Sequence, residues 1–294
     1  MAVTTGRITI SDELVAALLR EQFPDLAGEE IGRHYALPDR TVVRIGDHHG
    51  FHMPTVPGLD AAYERSARLV APFLSTWTFP LGAPIATGRP GHGYPYHFEV
   101  TRWIDGSTAG MVPLHDSEAA VLGDALRQIH APTDSPLRNS TTSVPLTTFA
   151  TPFARHLERA GQVRTRDGRR LDSDSVRALW DAGVDERAPA FTWTHGSIDP
   201  RSLISDQGRF VGLVDWRHFA PGDPALDLGP MLMHVPKDSH AALLEAYGDV
   251  PPEMLRRATA ALMIASVMHA GGDEPFAAAL AWRRLDELGL LREA

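Results

Sequence analysis

The chain has 294 residues, 43% of them hydrophobic, enough to bury a sizeable core as one large domain or as two lobes. A formal net charge of -9 argues against the basic face of a nucleic-acid binder, and the absence of cysteine removes every disulfide and thiolate–metal arrangement. Apolar runs are broken well short of the ~20 residues of a membrane helix, and "MAVTTGRITISDELVAAL" lacks a basic segment leading into an apolar one. The expectation is a cytoplasmic protein with no membrane or nucleic-acid partner.

Ser11, followed by Asp12 and Glu13, has the form of an N-cap for a helix over "ELVAALLREQF", which ends before Pro24. The stretch "EEIGRHYALPDRTVVRIG" predicts a hairpin turning at Pro38 and Asp39, with "TVVRI" as a buried strand. The His- and Gly-rich "GDHHGFHMPTVPG" reads as a loop, and "LDAAYERSARLVAPFL" as a second helix. Two short strands, "APIATG" and "YHFEVTRWI", form another hairpin. Beyond Asp105 the pattern turns helical, over Ser117–His130, Thr148–Gly161, Ser173–Gly183 and three more helices between His240 and Leu290. Strands return at "RFVGLVDW", preceded by a short strand and a turn at "SDQGR". The plan is α+β and two-lobed, a β-rich lobe at 1–104 and a helical lobe at 105–294.

Phosphoryl transfer needs a cation and a backbone cradle for the phosphates, oxygen ligands for Mg²⁺ and a carboxylate beside the acceptor hydroxyl. Arg44 in "TVVRI" is the candidate cation, with Glu64, 20 residues on in a helix, as its partner, although an Arg on a strand and a Glu on a helix more often form solvated faces. Asp215 ends an apolar strand, a position that suits a metal carboxylate and, equally, a turn cap. Asp223 and Asp227 in "APGDPALDL" read as helix-start devices. The triple His48, His49, His52 lacks a carboxylate or Cys at ligand spacing, and "GRPGHG" lies between strands, which disfavours a dinucleotide site. Ser197, His195 and Asp199 are too close on one loop for a hydrolase triad.

Together these motifs resemble the aminoglycoside and macrolide phosphotransferase family, small-molecule kinases with the protein-kinase fold. His195, Gly196, Asp215, Trp216, Gly222, Asp223, Pro224 and Asp227 follow the order of that family's signature, and Trp103 and Gly106 match its interlobe segment. The similarity spans about residues 28 to 270. It implies a small β-rich N-lobe and a larger helical C-lobe that carries the catalytic-loop and metal-Asp motifs. It assigns Arg44, Glu64 and Trp103 to a nucleotide, either ATP or GTP, Asp215 and the position of Ser202 to Mg²⁺, and His195, Gly196, Gly222, Asp223 and Asp227 to structural support.

Three departures touch three catalytic parts. Ser197 stands where the family has its catalytic Asp, Ser202 where it has the metal-binding Asn, and "IGRHYALPDR" leaves little length for a phosphate-cradling loop. The missing base is commonly worth ~10²–10⁴ in rate, and a serine does not replace it at neutral pH. A Ser hydroxyl can ligate Mg²⁺ only from a shorter reach, and Asp199 is the nearest carboxylate to Ser197. The expected function is a small-molecule- or nucleotide-binding protein that has lost phosphotransfer or uses its cleft for other chemistry. The alternative is an active, Mg²⁺-dependent kinase acting on the hydroxyl of an antibiotic, natural product, cationic small molecule or peptide.

Overall fold

The computed structural model describes residues 7–293, so the first residues of the N-terminus, on which part of the localisation reading rests, lie outside it. In chain order its elements are α1 (Asp12–Gln22), β1 (Ile31–Ala36), β2 (Arg40–Ile45), β3 (His49–Pro54), α2 (Asp60–Val70), β4 (Pro84–Gly88), β5 (Phe98–Arg102) and β6 (Ser107–Thr108). There follow α3 (Ala119–Ile129), α4 (Ala150–Gln162), β7 (Arg170–Leu171), α5 (Ser173–Val184), β8 (Thr192–Thr194), β9 (Leu203–Asp206), β10 (Arg209–Leu213) and β11 (Ala220–Gly222). The chain closes with α6 (Ala225–Leu232), α7 (His240–Tyr247), α8 (Pro252–Ala270), α9 (Pro275–Glu287) and β12 (Leu291–Arg292). No helix among the described residues is long and apolar enough to cross a membrane.

The chain divides into two compact units, the first built from the segment up to Thr76, Leu81–Ile104 and Val214–Arg217. Asp215, expected with the helical half, thus belongs to the β-rich one. The core of this unit is a five-stranded antiparallel sheet in the order β1-β2-β3-β5-β4. Because successive side chains of a strand point to opposite faces, Val43 and Ile45 of β2, Phe51 and Met53 of β3, and Phe98 and Val100 of β5 share one face and pack with Val15, Leu18 and Leu19 of α1. Ser11 caps that helix as expected, accepting the Leu14 N–H at 3.3 Å. Each buried aliphatic or aromatic side chain contributes about 1.5–3 kcal/mol, so this face anchors the unit.

The strand β3 corrects the loop expected over "GDHHGFHMPTVPG". Gly50 and the histidines hid an alternation in which Phe51 and Met53 face the core. The other face of the sheet carries Arg40, Val42 and Arg44, then His52, then Glu99 and Thr101, which explains why so polar a strand is nonetheless buried. Helix α2 covers part of that face, and its Ser66 hydroxyl donates to Glu99 Oε1.

The second unit comprises Trp77–Pro80, Asp105–Leu213 and the chain from His218 onward. Its centre is α8, buried on nearly every side through residues such as Ala258, Leu262 and Val267, and flanked by α4, α5, α6 and α9. Helix α6 approaches so closely that a Cβ on Gly229 would lie 2.2 Å from the Ala258 carbonyl oxygen, which only glycine permits. Two small antiparallel ladders matter for the site. One is the β9–β10 hairpin, which turns at Gln207 and Gly208 with positive φ; the other joins β8 to β11 and sets Thr194 opposite Ala220.

Candidate functional site

The ladder of β8 and β11 delivers the His-Gly turn. Trp193 stacks on Phe219 with ring centroids 5.0 Å apart, fixing the strand, and Gly196 then turns the chain at φ +78°. A side chain there would be strained and would meet the His218 carbonyl oxygen at 2.7 Å. The fully buried Asp227 accepts the N–H groups of His195 (2.6 Å) and Gly196 (2.9 Å), and His130 Nε2 lies 3.3 Å from the same carboxylate. His195 Nδ1 accepts the Ser197 N–H at 3.2 Å, so this imidazole shapes the loop. Asp223 accepts the Ala225 N–H at 3.0 Å and pairs with the buried Arg257 at 2.7 and 3.3 Å. A Cβ on Gly222 would lie 2.3 Å from Thr142 Oγ1, so the Gly-Asp-Pro segment is a packing device.

Past the turn, Asp199 and Ser202 are committed to each other. Asp199 Oδ1 accepts the N–H groups of Arg201 (2.6 Å) and Ser202 (3.2 Å), while Oδ2 pairs with the Arg201 guanidinium at 2.9 Å. Ser202 Oγ accepts the Asp199 N–H and donates to the Asp199 carbonyl, both at 2.9 Å. Asp199 thus shapes the turn, and Ser202 spends its hydroxyl inside the same turn.

Ser197 and Asp199 border a cavity of about 230 Å³ within the second unit. Its wall is mainly apolar, including Leu146, Phe149, Ile198, Leu226, Ile264 and Met268, with Thr141 and His269 as polar contributors. Burial, with Arg201 acting the same way and Asp199 opposing, holds the His269 imidazole below the ordinary histidine range, so it is neutral near pH 7. The α8 residues of this wall carried no sequence signal, because they share the small-apolar pattern of any buried helix.

In the first unit the expected Arg44–Glu64 pair is not formed. Glu64 lies on the exposed side of α2, whose buried residues are Tyr63, Ser66 and Val70. Arg44 donates to Asp47 Oδ1 and to the Gly46 carbonyl, both at 3.1 Å, and lies over the Trp103 ring at 5.5 Å. Trp103 packs against Tyr35 and over Gly50. The hairpin between β1 and β2 closes as a tight turn, the Leu37 N–H donating to the Arg40 carbonyl at 2.8 Å, so a phosphate-cradling loop is absent at that position.

The buried cation on this face is Arg40, which sequence reasoning passed over. Its Nη1 bonds Asp39 Oδ1 at 2.9 Å and its Nη2 bonds Asp215 Oδ2 at 3.0 Å. Arg217 meets the same two acids, Nη1 to Asp39 Oδ2 at 3.1 Å and Nε to Asp215 Oδ1 at 3.4 Å. Burial works against the Arg40 charge, but Asp215, Tyr63 and Asp39 outweigh it and hold the guanidinium firmly protonated. Asp215 sits at φ +71°, an uncommon conformation that aspartate tolerates better than most residues. Nearby, burial and the two arginines depress His52 to about 3, while burial raises Glu99 to about 8.

Mg²⁺ requires several oxygen ligands in near-octahedral array and keeps part of its water shell. Asp215 instead faces two guanidiniums, Ser202 is bonded within its own turn, and no group of three or more metal-binding side chains occurs among the described residues. These residues do not fit the metal.

A family model described as the phosphotransferase enzyme family matches residues 23–262, more than half of the chain. This chain belongs to that family. No curated protein matches its sequence. Solved structures show the fold of this phosphotransferase-family member to be kinase-like. The GDP complex of aminoglycoside 2'-phosphotransferase-IIIa superposes with a TM-score of 0.64 at 12% identity, covering 95% of this chain and 99% of its own. The GDP and kanamycin complex of APH(2")-IIIa gives 0.61 at 13%, covering 94% and 98%. The macrolide 2'-phosphotransferase MphH from Brachybacterium faecium gives 0.53 at 18%, covering 93% and 98%.

Proposed function

We propose that this chain is a phosphotransferase-family protein that does not transfer phosphate and that binds a largely apolar, uncharged small molecule in the cavity of its second unit. One observation carries the reading. The carboxylate nearest to Ser197 in sequence, Asp199, is paired through both oxygens, so the loop offers no base to an acceptor hydroxyl. Asp199, the carboxylate that borders the cavity, is already paired with Arg201, and the apolar lining suits a small uncharged molecule better than a polycationic aminoglycoside. Relatives solved with GDP or ADP make a nucleotide the second ligand class to test.

The second reading, an active ATP- or GTP-dependent O-phosphotransferase, is favoured by the intact His195–Gly196 turn on Asp227. Thermal-shift titrations with ATP, GTP, a panel of small uncharged apolar compounds, a macrolide panel and an aminoglycoside panel, followed by product analysis, separate the two. The proposal expects stabilisation by the apolar ligands and no phosphorylated product. A phosphorylated macrolide or aminoglycoside above the uncatalysed background would overturn it.

A further inference from the structure

We propose that Arg40 and Arg217 are the resident counter-ions of Asp215, so that this cluster of the first unit is charge-balanced without a divalent cation and takes up none. The four side chains form a closed ring of alternating sign. Asp39 Oδ1 meets Arg40 Nη1 at 2.9 Å, and Arg40 Nη2 meets Asp215 Oδ2 at 3.0 Å. Asp215 Oδ1 meets Arg217 Nε at 3.4 Å, and Arg217 Nη1 returns to Asp39 Oδ2 at 3.1 Å. Three of the four links are hydrogen bonds and the fourth, Asp215 Oδ1 to Arg217 Nε, is a longer ion-pair contact, and two negative charges balance two positive ones.

The side chains of Arg40 and Asp215 are each 9% exposed, so their attraction is little screened and each charge depends on its partner. A dication set on Asp215 would enter the field of two fixed guanidiniums and strip both of a partner. Arginine also suits the role better than lysine, since its planar fork spans two carboxylates at once, as Arg40 does here with Asp39 and Asp215. The inference rests on this ring and not on the fate of phosphate transfer, so each can fail without the other.

The test is a titration of the full chain with Mn²⁺ alone, followed by electron paramagnetic resonance of the free ion, alongside thermal unfolding of Asp215→Asn. The expected result is no Mn²⁺ bound with sub-millimolar affinity, and a midpoint lowered by about 6 °C or more in the variant, because two buried guanidiniums lose their counter-ion. The combined change Arg40→Met with Asp215→Leu should recover part of that loss. Sub-millimolar Mn²⁺ binding that disappears in Asp215→Asn would overturn the proposal, as would an unchanged or raised midpoint in that variant. If Asp215→Asn yields no folded protein, the Mn²⁺ titration of the unaltered chain decides alone.

Discussion

Glu99 stands directly opposite His52 in the pairing of β5 with β3, yet the two form neutral neighbours and not an ion pair. Burial raises the carboxyl to about 8, against the pull of the Ser66 hydrogen bond, and burial with Arg40 lowers the imidazole to about 3. Between pH 4.5 and 8 the folded protein keeps a proton on Glu99 that the unfolded chain releases, so this group removes stability as pH rises through that window. His52 acts oppositely, costing stability as pH falls from 6.5 to 3. Glu99→Gln should therefore flatten the decline in thermal midpoint between pH 6.5 and 8, where His52 is silent, and leave the acid limb in place. A pH series of unfolding midpoints for both proteins measures this.

Asp227 holds the His-Gly turn through two charge-assisted hydrogen bonds, each worth about 1.5–3 kcal/mol. Asp227→Ala should lower the stability of the second unit by about 3 kcal/mol or more in urea unfolding, with Asp227→Asn losing less because one acceptor oxygen survives.

Arg257→Met leaves the Asp223 carboxylate buried without its cation and should cost about 3–5 kcal/mol. Adding Asp223→Leu removes the orphaned charge and should restore much of that loss, which a double-mutant cycle would show.

Ala265 lines the cavity beside Ser197, on the central helix α8. Ala265→Phe should fill the space and abolish thermal stabilisation by apolar ligands. Circular dichroism and the unliganded midpoint would verify that the fold is kept.

Restoring the two family letters should not restore a kinase. In Ser197→Asp with Ser202→Asn, Asp215 remains between Arg40 and Arg217. Nucleotide turnover with Mg²⁺ is expected to stay at background, as judged by product analysis of the double variant.

Most helices and both N-terminal hairpins were legible because helical periodicity and turn residues are local signals; Ser11, Pro38 and Asp39 announced themselves. β3 was not, because Gly50, His49 and His52 mimic loop composition, and only its pairing between β2 and β5 makes it a buried strand. The family signature pointed to the His-Gly turn and to Asp227, which holds it, but signature letters do not report partners. Arg44 and Arg40 lie on the same face of β2. What separates them is Asp215 and Arg217, 175 residues away in the case of Arg40 and Asp215, a contact that no local pattern encodes. Glu99 was closer to reach. It sits between the core residues Phe98 and Val100, so alternation alone turns it to the face that α2 covers.

The ring has a consequence for biosynthesis. The hairpin that contributes Asp39 and Arg40 is made before the helical unit, whereas Asp215 and Arg217 follow only after most of that unit. Until then Arg40 has only Asp39 beside it, and the polar face of the sheet lacks two of its four charges. All five strands exist by residue 102, but their polar face gains its last charges only when the late segment packs on it. A ribosome-bound chain halted near residue 104 would expose its early strands to proteases and chaperones, and release past residue 217 would end that exposure.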